Sequence, residues 1–273
     1  MGDLQVLVAA MHQEDLSLAA RMNLQCDAII ANQADREETA VEVGSLGTTK
    51  MLTTKTRGVG LNRNLALLAA TSEIVLFADE DVTYYDGMPA QVVEAFEKNP
   101  DADVILFSMD YARNGKIIEK RHLPHKKLHV WNSMRYGAVS MAARRSALLR
   151  CNIMFHQLFG GGCLYNSGED SLFLKACFEK GLHVYSHPYV LGICSRDSST
   201  WFSGCDEKYF YDKGALMGYL FPKLKYAMTL YFAIYVKKKT DIACFERIRW
   251  MYSGLRGGRA MISYNEFLKD KKK

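Results

Sequence analysis

Ile74-Val75-Leu76-Phe77-Ala78-Asp79-Glu80-Asp81-Val82 is the stretch from which the fold is read. Five apolar residues, rich in β-formers, run directly into three carboxylates. The apolar run reads as a strand buried on both faces of a parallel sheet. The acids then fall at its carboxyl end, where open α/β sheets bind ligands. Asp79 and Asp81 are two apart and project to the same side of an extended chain. Adjacent carboxylates repel unless a cation sits among them, so the triplet points to a divalent-metal site completed by water and phosphate oxygens.

Strand candidates at Leu4–Met11 and Ala28–Ala31, with a short helix at Asp15–Leu24, place a β-α-β unit ahead of it. In Gly60–Thr71, Leu61, Leu65 and Leu68 share one helical face. A helix over Met88–Lys98 and a buried strand over Val104–Met109 follow. Residues 113–129 read as an excursion from the sheet, and His183–Ser186 as a last strand stopped by His187-Pro188. The expected class is therefore α/β.

A second acidic group lies in Ser167-Gly168-Glu169-Asp170, behind the loop Gly160-Gly161-Gly162. Ser167 reads as the N-cap of a helix running to Lys180, which puts Asp170 in the first turn. There the helix dipole favours an ionised carboxylate that would serve as a general base. Arg57, Asn62, Arg63 and Asn64 gather at another helix start and would meet phosphates or a base.

The 273 residues suit one ordinary domain or somewhat more, and 49% hydrophobic with 24% charged residues is a globular composition. Seven scattered cysteines with no Cys-x-x-Cys argue against a disulfide framework and for a reducing, cytoplasmic setting. Met1-Gly2-Asp3 runs directly into a strand-like stretch, so no secretory signal is expected. The net charge is +5, yet residues 237–273 hold eleven Lys/Arg against four Asp/Glu, so the remainder is close to neutral. Tyr226–Val236 is apolar but about half the length of a membrane span, and Lys223, Lys225 and Lys237-Lys238-Lys239 bracket it. It reads either as an interfacial helix or as a helix packed on the catalytic body. For residues 223–273 an anionic membrane surface is the expected partner, with a second copy of the chain as the other. No nucleic-acid motif is present.

These ordered features (the β-α-β start, Gly60 with Arg63 and Asn64, Asp79-Glu80-Asp81, and Gly168-Glu169-Asp170 about ninety residues later) resemble family 2 glycosyltransferases of the bacterial polysaccharide-building type. The resemblance covers roughly residues 4–200. It implies a GT-A fold, a Rossmann-like mixed sheet flanked by helices over residues 1–205, with a helical extension over 206–273. It also implies inverting transfer of a sugar from a nucleotide diphosphate, UDP-linked, to a saccharide or lipid-linked saccharide, at the inner face of the cell membrane.

By the same resemblance Asp79 and Glu80 would lie near the nucleotide, and Asp81 with Asp79 would hold Mn²⁺ or Mg²⁺. Asp170 would be the base and Glu169 would orient it. Ala10, Met11 and His12 would border the nucleobase, with Arg63 reaching it. The family often has an Asp at the end of the second strand, where this chain has Asn32-Gln33 with Asp35 beyond. His187 is expected to complete the metal site. Arg196 would pair with phosphate and Trp201 would stack on a sugar. The rival reading is a haloacid-dehalogenase-type phosphatase with Asp79 as nucleophile, Asp81 and Thr83 following it and Ser108 as its second motif.

Overall fold

In the computed structural model, which describes residues 3–133, 136–197, 204–236 and 240–270, the apolar stretch forms a strand over Ile74–Asp79. Leu76 and Ala78 pack into one core and Val75 and Phe77 into another, so each face of the strand is covered. That is why the run shows no polar alternation.

The elements in chain order begin β1 (Leu4–Met11), α1 (Leu18–Arg21), β2 (Asp27–Gln33), β3 (Glu38–Val43), β4 (Thr48–Thr54), α2 (Val59–Ala69) and β5 (Ile74–Asp79). They continue through β6 (Val82–Tyr84), α3 (Met88–Lys98), β7 (Val104–Arg113), β8 (Lys116–Arg121), β9 (Lys126–Lys127) and α4 (Val130–Ser133). Next come β10 (Met141–Arg144), α5 (Arg145–Arg150), α6 (Glu169–Glu179) and β11 (Val184–Ser195). Four helices close the chain: α7 (Glu207–Leu220), α8 (Lys225–Tyr235), α9 (Cys244–Ala260) and α10 (Tyr264–Asp270).

The strands form one mixed sheet in the order β3-β4-β2-β1-β5-β10-β7-β11-β6. β4, β2, β1 and β5 are mutually parallel, and β10 is inserted antiparallel between β5 and β7. The registers Met11↔Gln33 and Ala9↔Asp79 bring the carboxyl ends of β1, β2 and β5 to one edge. Glu38–Val43 and Thr48–Thr54 pair antiparallel as β3 and β4. β11 does not stop at His187-Pro188. Register shifts flank Val190, and the strand then continues to Ser195. Proline lacks an N–H, and an irregularity in the ladder accommodates that loss.

The chain divides into two compact units. The first comprises Met1–Arg57, Leu61–Phe155 and Phe173–Ser199, and the second Gly58–Gly60, His156–Leu172 and Thr200–Lys273. A boundary at residue 205 would therefore separate the loop His156–Leu172 from the helices it is grouped with. In the second unit α7 and α9 cross at glycines. A Cβ on Gly214 would overlap the Met251 carbonyl, and one on Gly254 would overlap that of Tyr211. No helix among the described residues is long and apolar enough to cross a membrane.

Candidate active site

In the first unit the site is the shared edge of β1, β2 and β5. Arg63 reaches it from α2 and is almost wholly buried, its Nη2 donating to Asp79 Oδ1 at 2.7 Å. Phe155 lies against the guanidinium, 5.2 Å from ring centroid to Cζ. Glu80 turns the other way. Its Oε2 accepts from Met11 N–H at 3.1 Å and from the Gln13 side-chain amide at 2.7 Å. His12, between them, adopts a left-handed φ of 53° and donates its N–H to the Gln33 carbonyl. Ala10 is buried within β1, and its carbonyl accepts from Asn62.

Asp81 is the unusual acid. Desolvation, and then the neighbouring Asp79 charge, push its carboxyl up to about 6, while the Cys194 thiol, donating to Oδ1 at 3.6 Å, pulls it partly back. A half-buried carboxylate repelled by its neighbour is short of a counter-charge. Asp79 already has Arg63, so Asp81 is the oxygen donor to which a cation would add most. Hard carboxylate oxygens fit Mn²⁺ or Mg²⁺. Among the described residues no group of three or more His, Cys, Asp or Glu could hold a metal. A cation here would thus take its remaining ligands from a diphosphate and water.

In the second unit the other acidic pair opens α6, with both Glu169 and Asp170 in the first turn. Three side chains of α7 engage the three residues leading into that helix. Asp212 Oδ2 accepts from Asn166 N–H at 3.0 Å, Lys213 Nζ donates to Ser167 Oγ at 2.9 Å, and Leu216 fills the space a Cβ would need at Gly168. Gly168 has φ +121°, a conformation open to glycine. Its N–H donates to Glu169 Oε2 at 3.1 Å. Burial raises the Asp212 carboxyl against the opposing effect of Lys208, and burial lowers the Lys213 ammonium against the opposing charges of Glu169 and Asp212. The glycine loop is closed by its own backbone: Gly160 N–H donates to Tyr165 O and Gly161 O accepts from Val59 N–H, with Gly162 following in left-handed backbone. The Glu169 carboxyl stands beside the Cα of Gly160.

Several sequence expectations change. Ser167 is not the N-cap, because α6 begins at Glu169 and the Ser167 hydroxyl accepts from Lys213. Asn32 is fully buried and does not face a nucleobase. Its Oδ1 accepts from Gln13 N–H, and its amide donates to Gln13 O and Thr53 Oγ1, so it sets the turn after β1. Gln33 is buried beside it at the strand end. Asp35 is exposed and ion-paired with Arg57. Asn62 donates to the carbonyls of Ala10 and Ala31, and Asn64 exchanges two hydrogen bonds with Phe155, so both asparagines fasten α2 rather than meet phosphate.

His187 does not join Asp81. It pairs in register with Phe107, and its ring packs on those of Phe107, His125 and Tyr189. Cys194, seven residues and roughly 20 Å of strand further on, is the β11 side chain at the acid. Arg196 is held by Glu119 at 3.0 Å and stacks on Tyr111. Trp201 lies outside the described residues. Ser108, the second residue of the phosphatase reading, donates to His187 O and accepts from Leu123 N–H inside the core. Neither Cys194 nor the Asp212–Lys213 pair carries a local sequence signal, since only tertiary packing brings them to the acids.

A family model described as "Glycosyl transferase family 2" matches residues 16–155. The structure is similar to that of S. aureus TarS residues 1–349, with a TM-score of 0.58 and 15% identity over 93% of this chain and 71% of that one. The same protein in complex with UDP-GlcNAc gives a TM-score of 0.56 and 17% identity, covering 100% of this chain and 76% of that one. Its complex with UDP gives 0.55 and 17%, covering 95% and 72%. A comparison with curated protein sequences found no match. The mixed sheet and its flanking helices are those of the GT-A glycosyltransferase fold.

Proposed function

Because the chain belongs to glycosyl transferase family 2, we propose that it transfers a sugar, with inversion, from a UDP-linked donor to a hydroxyl of a saccharide or lipid-linked saccharide. The product would be part of a cell-surface polysaccharide. One observation carries this reading: at the tip of β5, Asp79 is paired with Arg63 while Asp81 beside it has no such partner cation among the described residues and is pushed up to about 6. That division of labour suits a site that receives a diphosphate with its own cation. Similarity in fold to a protein crystallised with UDP and UDP-GlcNAc supports the choice of donor.

Asp81 would hold Mn²⁺ or Mg²⁺, and such a cation supplies charge neutralisation to the departing diphosphate. Arg63, fixed by Asp79 and Phe155, keeps the floor of the nucleotide site rigid. Met11 and Gln13 are held at the β1 edge by Glu80, and His12 by the Gln33 carbonyl, so their backbone offers a preformed rim for the base. Asp170 would accept the proton of the acceptor hydroxyl as its oxygen bonds to the anomeric carbon. The bond from that carbon to the diphosphate oxygen breaks, its electron pair leaving with UDP. Attack from the face opposite the leaving group inverts the centre. Glu169, anchored by the Gly168 N–H, would orient the acceptor.

Thermal-shift titration with UDP and UDP-sugars, with and without Mn²⁺, tests the donor, because a ligand bound to the folded state raises the melting temperature with its occupancy. A Mn²⁺-dependent shift with UDP is expected. Equal response to all nucleoside diphosphates, or none, would defeat the assignment. The anomeric configuration of the product, read by NMR, tests inversion.

A further inference from the structure

α8 has its hydrophobicity on the wrong side for a surface helix. Only Thr229 and Ala233 are buried within it. The outward face repeats at helical spacing: Tyr226, Ala227, Leu230, Tyr231, Ile234 and Tyr235. Of these, Tyr231 is 59% exposed, Ile234 50% and Tyr235 68%. No charged residue occurs between Tyr226 and Val236. A helix packed on one side normally turns charged residues to water on the other. A contiguous exposed apolar face of this kind marks an interaction surface.

The chemistry of the face selects the occupant. Three tyrosines carry an apolar ring and a polar hydroxyl, the combination favoured at the boundary between hydrocarbon and headgroups. Lys223 and Lys225 stand at the helix start. Lys225, one and two turns before the buried Thr229 and Ala233, borders a pocket of about 180 Å³ to which Gly218, Tyr219, Gly258 and Arg259 of α7 and α9 also contribute, so two cations frame a concavity on the inner side of the helix start. Eleven residues make a helix about 16 Å long, half the ~30 Å of a bilayer core, which suits lying in the interface rather than crossing it. A second copy of the chain paired through this one helix would bury well under the ~800 Å² per partner of a stable interface. A bilayer needs no complementary surface.

We propose that α8 seats this protein on an anionic lipid surface, with its tyrosine–aliphatic face in the headgroup–acyl boundary and Lys223 and Lys225 at the helix start toward the lipid phosphates. The seat draws on apolar burial and on charge together, so it weakens but persists as salt rises.

The test is co-sedimentation of the full chain with vesicles of phosphatidylglycerol and phosphatidylcholine, against phosphatidylcholine alone, at low and high salt. Binding to the anionic vesicles is expected. The double variant Leu230→Ser/Ile234→Ser should lower it roughly tenfold or more, since both side chains are exposed and their loss leaves the core intact. Lys225→Glu should reduce the preference for anionic vesicles. In Tyr231→Trp, a blue-shifted emission component should appear on anionic vesicles. Three results would overturn the proposal: no binding to either vesicle at low salt, equal binding to both, or self-association in sedimentation equilibrium that the serine pair abolishes. UDP-induced thermal shifts in the same variants report the transferase reading separately, so vesicle failure with those shifts intact leaves the enzyme assignment standing.

Discussion

The two acidic groups solve opposite problems. Asp79-Glu80-Asp81 lies at a strand end, and each acid is dealt with singly: Arg63 for Asp79, the Met11 and Gln13 donors for Glu80, and a weak thiol donor with its own backbone N–H for Asp81. Glu169-Asp170 lies at a helix start, where free N–H groups favour anions, and the surrounding α7 contacts fix the backbone leading into the helix. One group is left charge-deficient and open to a cation. The other is placed to hold a carboxylate in one position. Binding and proton transfer call for these two conditions respectively.

The largest effect expected from breaking that contrast is on chemistry. Asp170→Asn would remove the proposed base while leaving the helix start in place. Transfer should fall by about 10³-fold, within the range of general-base contributions, while the UDP-induced thermal shift is retained. Near-normal transfer would remove Asp170 from the reaction. Next comes Asp79→Asn, which removes an ion-pair partner from a buried guanidinium. Breaking such a pair costs about 3 kcal/mol, the low end of the range because the Asp79 side chain is one-third exposed. Urea unfolding should show the loss, and an unchanged midpoint would mean the pair adds nothing.

Asp81→Asn should separate binding from stability. With its carboxyl raised from 3.8 to about 6, ionising Asp81 disfavours the folded state. The folded protein therefore gains relative stability below the unfolded pKa near 4 and loses it as pH rises through about 6. In the absence of divalent cations the Asn variant should be more stable than wild type at pH 8, by up to about 2 kcal/mol, and no more stable at pH 3. The same variant should lose the Mn²⁺-dependent part of the UDP thermal shift. A variant less stable at pH 8 would show that Asp81 is satisfied within the fold and has no call for a cation.

Much of the sheet was legible because β1, β2 and β5 are buried on both faces and so read as apolar runs. The acids were legible because strand ends and helix starts carry local signatures. What stayed hidden depended on register and packing. Asn32 looks like a base reader in the chain, yet the Met11↔Gln33 register turns it onto the Gln13 turn. His187 looks like a metal ligand until β11 is seen to run on past Pro188, leaving Cys194 at Asp81. A loop and a helix some forty residues apart contribute Ser167 and Lys213 to one contact, and no spacing rule announces it.

That contact yields the finest test. Lys213→Met keeps the packing stem and removes the N–H that Ser167 Oγ accepts, along with a cation facing Glu169 and Asp212. The stability cost should be about 1 kcal/mol, the worth of one ordinary hydrogen bond. If Lys213 only braces the fold, nothing else changes. If it positions the acidic pair, kcat should fall several-fold with the donor KM unchanged. Lys213→Arg, which restores the donor, should bring kcat back. A kcat that stays put in both variants would assign the α7 contacts to folding alone, and the contrast between the two acidic groups would then rest on the helix start by itself.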